Sequence, residues 1–200
     1  MAVIKNRSPR TAARGEPLRQ IVLDAAETLL REGKADFSMR DLAANAGVSF
    51  ATPFNQFGSK AAIMHALSGR RIDTMTKRFA KASAPPDAAG RVFLATAIGV
   101  EVMLEEPEVN RTIMAWISAA APSSGHVLAH SSALWTLALG AGEGLAAARR
   151  GQALSTLPTL LAFGFRGVLS FWTAGELTDE SLAAHAQSVA STMLLGFAER

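Results

Sequence analysis

Apolar residues recur at three- and four-residue steps along most of the chain, and this periodicity predicts α-helices and no run of strands. A first helix is expected from Pro17 to Glu32, ended by Gly33. Ser59 can begin another helix, which runs to about Lys81. The predicted fold class is all-α. Proline, glycine and capping residues divide the rest into expected helices over 87–104, 107–120, 126–150, 158–173 and 178–198.

Two short helices joined by a tight turn are predicted between the first helix and the helix that begins after Ser59. Ser38 can cap the first of them, with Asp41 three residues later. Gly47 lies just past its end, where a left-handed backbone conformation is common. Ser49 can cap a second helix over 50–57. Two helices separated by a short turn with glycine have the spacing of a helix-turn-helix.

These residues resemble the N-terminal DNA-binding domain of the tetracycline-repressor-like (TetR) transcriptional regulators. The resemblance implies a three-helix helix-turn-helix domain followed by a C-terminal helical domain for ligand binding and dimerisation. Two positions depart from the family pattern, because Pro53 replaces a large aliphatic residue and Phe54 replaces a tyrosine. The matching positions are Val22-Leu23-Asp24-Ala25-Ala26, Gly33, Ala43, Ala46-Gly47-Val48-Ser49, Thr52, Phe57, Ser59 and Lys60.

The predicted organisation has three parts: a flexible basic arm over 1–16, a DNA-binding domain over 17–60, and an effector-binding and dimerisation domain over 61–200. The helix over 60–81 would connect the two domains. The Pro85-Pro86 pair marks the end of this connector. The arm is interpreted either as a disordered terminus or as a segment that lies along DNA. Its basic residues are Lys5, Arg7, Arg10 and Arg14.

The charge distribution supports a polyanionic partner for the first part of the chain only. Residues 1–81 carry 14 Lys/Arg against 7 Asp/Glu, whereas residues 82–200 carry 6 against 10. The chain has no cysteine, which excludes disulfides. Its N-terminus lacks the apolar segment of a signal peptide. The apolar run over 160–172 is too short to span a bilayer and contains Arg166. We expect a soluble, cytoplasmic protein.

The resemblance implies that Arg40 contacts DNA and that Thr52 and Lys60 bind phosphate; the alternative for Arg40 is a solvated charge. Amide side chains pair well with adenine, so Asn55 and Gln56 are candidates for reading bases. An aromatic ring can also pack on a thymine methyl group. The predicted DNA-binding residues are Arg40, Ser49, Phe50, Ala51, Thr52, Phe54, Asn55, Gln56 and Lys60.

A small-molecule cavity is implied by the resemblance, and the uncharged run over 112–142 suggests an apolar effector. The alternative is that these side chains form an ordinary core. His126 and His130 are four residues apart, as paired metal ligands would be, but we expect no metal and no cofactor. Histidines are the candidates for orienting a polar end of the ligand. The predicted cavity residues are His65, Phe93, Met103, Met114, Trp116, His126, His130, Leu134 and Trp135.

The last two predicted helices are candidates for a homodimer interface, since one is apolar nearly all round. The alternative is a monomeric core. The predicted interface residues are Leu161, Phe165, Val168, Trp172, Leu182, Ala186, Val189 and Met193.

The sequence shows no phosphate-binding loop, serine elbow or paired-carboxylate motif, so we expect no enzymatic activity. The predicted function is transcriptional repression at a palindromic operator, relieved by a small apolar effector. The alternatives are an activator of the same family, or an all-helical enzyme or ligand-binding bundle whose helix-turn-helix is only structural.

Overall fold

A computed structural model describes the backbone of residues 9–119 and 127–199, with side chains for 16–118 and 127–199. Helices and no strands form in this part of the chain, which confirms the predicted all-α fold. A single antiparallel bridge joins Leu145 to Ala198. The helices are α1 (Pro9–Arg31), α2 (Met39–Asn45), α3 (Ala51–Phe57), α4 (Lys60–Lys81), α5 (Ala88–Leu104), α6 (Pro107–Ala119), α7 (Val127–Leu139), α8 (Arg150–Thr173) and α9 (Asp179–Leu195).

The chain divides into two compact units, with the boundary between Leu67 and Ser68, inside α4. The sequence analysis predicted a DNA-binding domain over 17–60 and an effector-binding domain over 61–200. These limits divide the chain by function, so they stay predictions. The compact first unit extends about two helical turns beyond residue 60, because the start of α4 also supplies apolar side chains to its interior.

In the first unit, α1, α2 and α3 all pack against one another. The apolar side of α1 is buried from Val22 onward, and Val22 and Ala26 are completely inaccessible. Leu42 of α2 and Ile63 of α4 are also fully buried. Each large side chain removed from water contributes roughly 1.5–3 kcal/mol, so this small core is what holds the short helices α2 and α3 in place.

The second unit is built on four helices that close into a ring. Helix α8 contacts α7 and α9, and α5 contacts the same two helices from the other side; α6 packs on α5 and α8. Trp135 and Trp172 are among the largest fully buried side chains, and Phe165 packs edge-on against Trp135 with ring centroids 5.7 Å apart. The indole of Trp172 donates a 2.7 Å hydrogen bond to Asp179, which ties α8 to the start of α9.

Helices α8 and α9 approach closely at Gly164. A Cβ atom there would lie 2.6 Å from Met193 Cε and 2.7 Å from Val189 Cγ1, closer than carbon atoms pack. The missing side chain therefore makes room for these two residues of α9. This close contact places Val189 and Met193 against their own chain.

Two proline positions predicted to begin helices were wrong. Pro17 lies inside α1 and Pro158 inside α8. Proline has a helical φ and lacks only its own N–H, so a helix can continue through it at a cost when its neighbours favour helix. As a result α1 begins at Pro9, and residues 9–16 of the predicted flexible arm are helical. Lys5 and Arg7 lie outside the described residues.

The long helix predicted over 126–150 was also wrong. Helix α7 ends at Leu139, and Gly140, Gly142 and Gly144 follow with φ angles of 57°, 78° and 78°. This left-handed backbone ends a helix and is unstrained only for glycine. A 3₁₀ turn over Ala147–Arg149 then leads into α8, so that Gly151 lies inside a helix and does not end one.

The stretch Ala147–Thr173 is long and apolar enough to cross a membrane by length and composition alone. The same composition is typical of a core helix in a bundle. One side of α8 is buried in the second unit through Leu157, Leu161 and Trp172, and about 33% of the most apolar part of the helix is buried in all.

Candidate DNA-binding surface and ligand cavity

Helix α2 begins with a complete capping box. The Ser38 hydroxyl accepts a 3.2 Å hydrogen bond from the Asp41 N–H, and the Ser38 N–H donates a 2.8 Å bond to the Asp41 carboxylate. These bonds satisfy two backbone donors that a helix start leaves open. The Ser38 N–H and hydroxyl both bond the ionised carboxylate, and they hold the pKa of Asp41 below its ordinary value. The predicted Ser38 cap is confirmed.

The turn between α2 and α3 is held by backbone hydrogen bonds. Gly47 has a φ of 63°, and the Val48 N–H donates to the Ala43 carbonyl at 3.0 Å. A residue in the left-handed region followed by such a bond ends a helix within one turn. Leu42 and Ala43 are buried, so α2 crosses α3 through small and apolar contacts.

The start of α3 differs from the prediction. The Phe50 backbone already has helical angles, so by its geometry the helix starts at Phe50, as predicted. The difference is that no side chain caps the helix. The Ser49 hydroxyl lies 2.8 Å from the Thr52 hydroxyl, while the Thr52 N–H bonds to the Ser49 carbonyl at 2.9 Å.

The outward face of α3 carries two exposed aromatic rings. Phe50 is 54% and Phe54 44% exposed, and their centroids are 5.5 Å apart in an edge-to-face arrangement. The Arg40 guanidinium lies 5.6 Å from the Phe50 ring, so the start of α2 and the start of α3 share this surface. Ala51 and Asn55 are also exposed, whereas Thr52 and Gln56 are half-buried. We call this set of residues the α3 surface.

The back of α3 is fastened to α1 by Arg19. Its guanidinium donates a 2.6 Å hydrogen bond to the Gln56 carbonyl and lies 4.2 Å from the centroid of the Phe57 ring. An arginine can make both contacts at once, because the face of its planar guanidinium group stacks on a ring while its N–H groups donate hydrogen bonds within the plane. Arg19 therefore fixes the direction in which the α3 surface faces. Pro53, the departure from the family pattern, is buried on the inward side.

Lys60 occupies a different environment from the other predicted DNA-binding residues. Its ammonium donates to the Ala35 carbonyl at 2.6 Å and the Phe37 carbonyl at 2.9 Å, and it lies 4.2 Å from the Phe37 ring. Partial burial lowers the pKa of Lys60. The ammonium thus binds the connection between α1 and α2, a structural role that the sequence analysis did not include. Its phosphate contact stays a prediction.

The second unit contains a cavity of about 280 Å³ among α4, α6, α7 and α8. Met103, Met114, Leu134 and Trp135, four of the predicted cavity residues, line it. Phe93, Trp116 and His130 are not among its lining residues; the His130 imidazole lies 2.9 Å from the Asp73 carboxylate. Periodicity places residues on a helix face but does not say which face meets the cavity. His65 belongs to the first unit, and His126 lies outside the described residues.

The polar groups of the cavity were missed by the sequence analysis. Arg71 and Arg166 both line it, together with Asn110. Arg71 donates to Asn110 Oδ1 at 2.8 Å and to Glu106 at 3.2 Å, and the Asn110 amide donates to the Met103 carbonyl at 2.8 Å. Arg166 is the only charged residue in the apolar run over 160–172. This isolated charge in an apolar run was the signal in the sequence that would have indicated a polar group in the cavity.

Most of the predicted dimer-interface residues are buried within their own chain, and the dimer interface itself stays a prediction. Leu161, Trp172, Leu182 and Ala186 are each at most 2% exposed, and Val168 is 7% exposed. These side chains pack within their own chain, as do Val189 and Met193 beside Gly164. Phe165 packs on Trp135. Two apolar helices that follow each other in sequence bury the same positions whether they pair within a chain or between chains, so periodicity could not distinguish the two cases.

These features define a class of protein: an all-α helix-turn-helix regulator with a separate helical unit around an apolar cavity. Residues 22–67 match the bacterial regulatory proteins of the tetR family. This match covers the helix-turn-helix unit, about a quarter of the chain, and it confirms the resemblance to the tetR family that was predicted from the sequence.

Solved structures are similar over nearly the whole chain. A TetR transcriptional regulator from Rhodococcus sp. RHA1 is 22% identical, with a TM-score of 0.72 over 90% of this chain and 97% of that one. The TetR family transcriptional regulator PfmR from Thermus thermophilus is 19% identical, with a TM-score of 0.50 over 87% and 97%. At these identities the likeness concerns the fold. No curated protein matches the sequence significantly.

Proposed function

We propose that this protein is a homodimeric transcriptional repressor, released from a palindromic operator by a small molecule. The proposal that the protein binds DNA rests on the α3 surface. Adjacent exposed aromatic side chains such as Phe50 and Phe54 form an apolar patch rimmed by polar groups, and such patches often mark interaction sites. In a helix-turn-helix the second helix enters the major groove, and this is the face of α3 that carries Phe50, Phe54 and Asn55.

The proposed roles follow from position. Arg40 reaches a phosphate or a guanine edge from the start of α2, while Asn55 and Gln56 meet base edges. Phe50 packs on a thymine methyl group. The Thr52 hydroxyl binds a phosphate, supported by its neighbour Ser49. Ala51 permits close approach of the helix to the groove, and Phe54 packs beside Phe50.

A second copy of the chain is proposed to cover α8. Leu160, Phe163 and Phe171 are 38%, 54% and 55% exposed, and with Gly167 they lie within one arc of the helix at steps of three and four residues. We call this the α8 face. An apolar face of this kind is typical of an obligate interface, where a partner excludes water. Two-fold symmetry then gives two α3 surfaces for the two halves of an operator.

The proposed control acts through α4. Ser68, Ile72 and Met75 of α4 line the cavity, and the same helix begins at Lys60 in the first unit. A ligand that packs against this helix favours one of its discrete arrangements, and DNA favours another. Ligand and DNA must then oppose each other with a reciprocal coupling, typically about 1–3 kcal/mol.

The test begins with selection of bound fragments from random duplex DNA, which we expect to yield a palindrome. Arg40→Ala and Phe50→Ala should each weaken binding to that operator by about 1–3 kcal/mol. Lys81→Ala, an exposed charge at the end of α4, is the matched control and should leave affinity unchanged. If both α3-surface variants bind as tightly as the unaltered protein, the proposed DNA contact is wrong.

Repression and activation are distinguished by a reporter gene placed behind the recovered operator, with the protein present or absent. We expect lower expression in its presence; higher expression supports the activator. Regulators of this family are generally soluble proteins without enzymatic activity. We place this chain in the cytoplasm and assign it no cofactor and no resident metal.

A further inference from the structure

Arg166 carries a charge into an apolar cavity. Its side chain extends from α8, is half-buried and lines the cavity. One terminal nitrogen donates a 3.0 Å hydrogen bond to Met114 Sδ, and the other a 2.9 Å bond to Ser118 Oγ. Burial lowers the pKa of this guanidinium, which shows that its surroundings disfavour the charge. A thioether is a weak acceptor and a hydroxyl is neutral, so the charge has poor compensation.

No carboxylate compensates Arg166 among the described residues. The other charged group that lines the cavity has a counter-ion, because Arg71 bonds Glu106 at 3.2 Å. Arg166 forms no ion pair within the described ranges 16–118 and 127–199. The intervening residues 119–126 contain neither Asp nor Glu, and neither do residues 1–15. The side chains of the protein therefore leave an uncompensated cation in the cavity wall, an expensive arrangement that a bound anion would relieve.

The remainder of the cavity suits a hydrocarbon group. Its wall is formed mainly by Ile72, Met75, Ile113, Trp135 and Leu169. The volume of about 280 Å³ is near the lower end of the range for small-molecule pockets, roughly 300–1,000 Å³. Apolar walls with one well-placed polar group are typical of small-molecule sites.

We infer that the cavity binds a small amphiphilic monocarboxylate, whose head group pairs with Arg166 and whose hydrocarbon part lies among Ile72, Met75 and Trp135. This inference rests on the proposed function as a ligand-controlled regulator. It replaces the predicted apolar effector oriented by histidines. The two hydrogen bonds to Met114 and Ser118 use two of five guanidinium N–H groups, so a bidentate contact with a carboxylate remains available.

The single charge also selects the kind of anion. A phosphate monoester carries a charge between about −1.5 and −2 near neutral pH, approximately as a phosphorylated residue does. Arg166 offers one positive charge, and Arg71 is already compensated by Glu106. A monocarboxylate matches this charge and a phosphate does not.

The test compares ligands that differ only in the head group. Full-length protein is titrated with decanoate, 1-decanol and decyltrimethylammonium, and binding is followed by calorimetry and by tryptophan fluorescence, to which Trp135 in the cavity wall contributes. We expect decanoate to bind about tenfold or more tightly than 1-decanol, since a hydrogen bond to a charged group contributes more than one between neutral groups. The quaternary amine should bind most weakly. This comparison requires no variant.

Arg166→Gln keeps a donor for Ser118 and removes the charge. It should reduce decanoate affinity by about tenfold or more and change 1-decanol affinity by less than about twofold. Lys77→Gln, which removes an exposed charge of α4 that does not line the cavity, is the matched control and should change neither affinity. Arg166→Lys should bind decanoate with an affinity between those of the unaltered protein and Arg166→Gln, because lysine keeps the charge and lacks the planar guanidinium group.

Equal affinity for decanoate and 1-decanol, an absence of decanoate binding, or unchanged decanoate binding by folded Arg166→Gln would overturn the inference. The proposed regulatory function fails in a different way. If decanoate binds through Arg166 and operator affinity does not respond, the carboxylate site stands and the coupling to DNA is wrong.

Discussion

The ammonium of Lys60 lies 4.2 Å from the centroid of the Phe37 ring and 2.9 Å from the Phe37 carbonyl oxygen. A lysine at the first position of α4 thus binds the segment that precedes α2. A cation at a helix start is unfavourable on its own, and here the carbonyls of Ala35 and Phe37 compensate it.

The first prediction concerns this contact. Lys60→Met should reduce the free energy of unfolding by about 1–2 kcal/mol, because two carbonyl groups lose their donor while the apolar stem is kept. Thermal or urea unfolding measures the change. Lys34→Met, which removes an exposed lysine paired with Glu32, is the control and should have a smaller effect. Unchanged unfolding of Lys60→Met together with lost operator binding would show that Lys60 acts only on DNA.

The second prediction concerns acid. Hydrogen bonds from Ser38 lower the pKa of Asp41 in the folded state. The stability that this carboxylate contributes is therefore present above its unfolded pKa and is lost as pH falls through the folded pKa. The difference in unfolding free energy between the unaltered protein and Asp41→Asn should shrink on acidification. Ser38→Ala should weaken this dependence without abolishing it, since the backbone N–H still donates to Asp41. A difference that stays constant from neutral to acid pH would contradict the assignment.

The third prediction concerns the contact between α8 and α9. Gly164→Ala should cost about 1–3 kcal/mol, because the new methyl group overlaps Val189 and Met193 unless α9 moves. Gly151→Ala, in the first turn of α8, meets no atom within 4 Å. It should stabilise the protein by up to about 1 kcal/mol through a better helix propensity. Chemical denaturation of the two variants gives the comparison, and equal stability would mean that the helices are less closely packed.

The fourth prediction separates the interior of the second unit from its proposed interface. Phe171→Glu places a charge on the α8 face and should give a folded monomer with weak operator binding. Val168→Arg should instead unfold the unit, because Val168 is buried within its own chain. Ser155→Glu, at an exposed position of α8 outside the α8 face, should change neither property. Analytical ultracentrifugation and circular dichroism measure the two outcomes; a dimeric Phe171→Glu variant would place the interface elsewhere.

The sequence by itself determined the fold class, the helix-turn-helix and the resemblance to the tetR family, because these depend on local rules. A capping serine, a glycine that adopts a left-handed conformation and an apolar period of three to four residues act within one or two helical turns. Ser38, Asp41 and Gly47 therefore have the geometry that their order predicts. The limits of α5 and α6 also follow from Asp87 and Pro107, each of which lies at a helix start.

Only the tertiary structure decided which apolar residues face the core, the cavity or the solvent. Leu161 and Phe163 are two residues apart on one apolar helix, yet the first is 2% and the second 54% exposed. The choice depends on where α7 and α9 lie around α8, which is a matter of contacts between residues distant in sequence. The same holds for Arg166: in the sequence it is a charge in an apolar run, and only the packing of α6 beside it shows a cation that has no counter-ion among the described residues. Local periodicity carries no information on such neighbours, because burial and charge compensation are properties of the assembled unit.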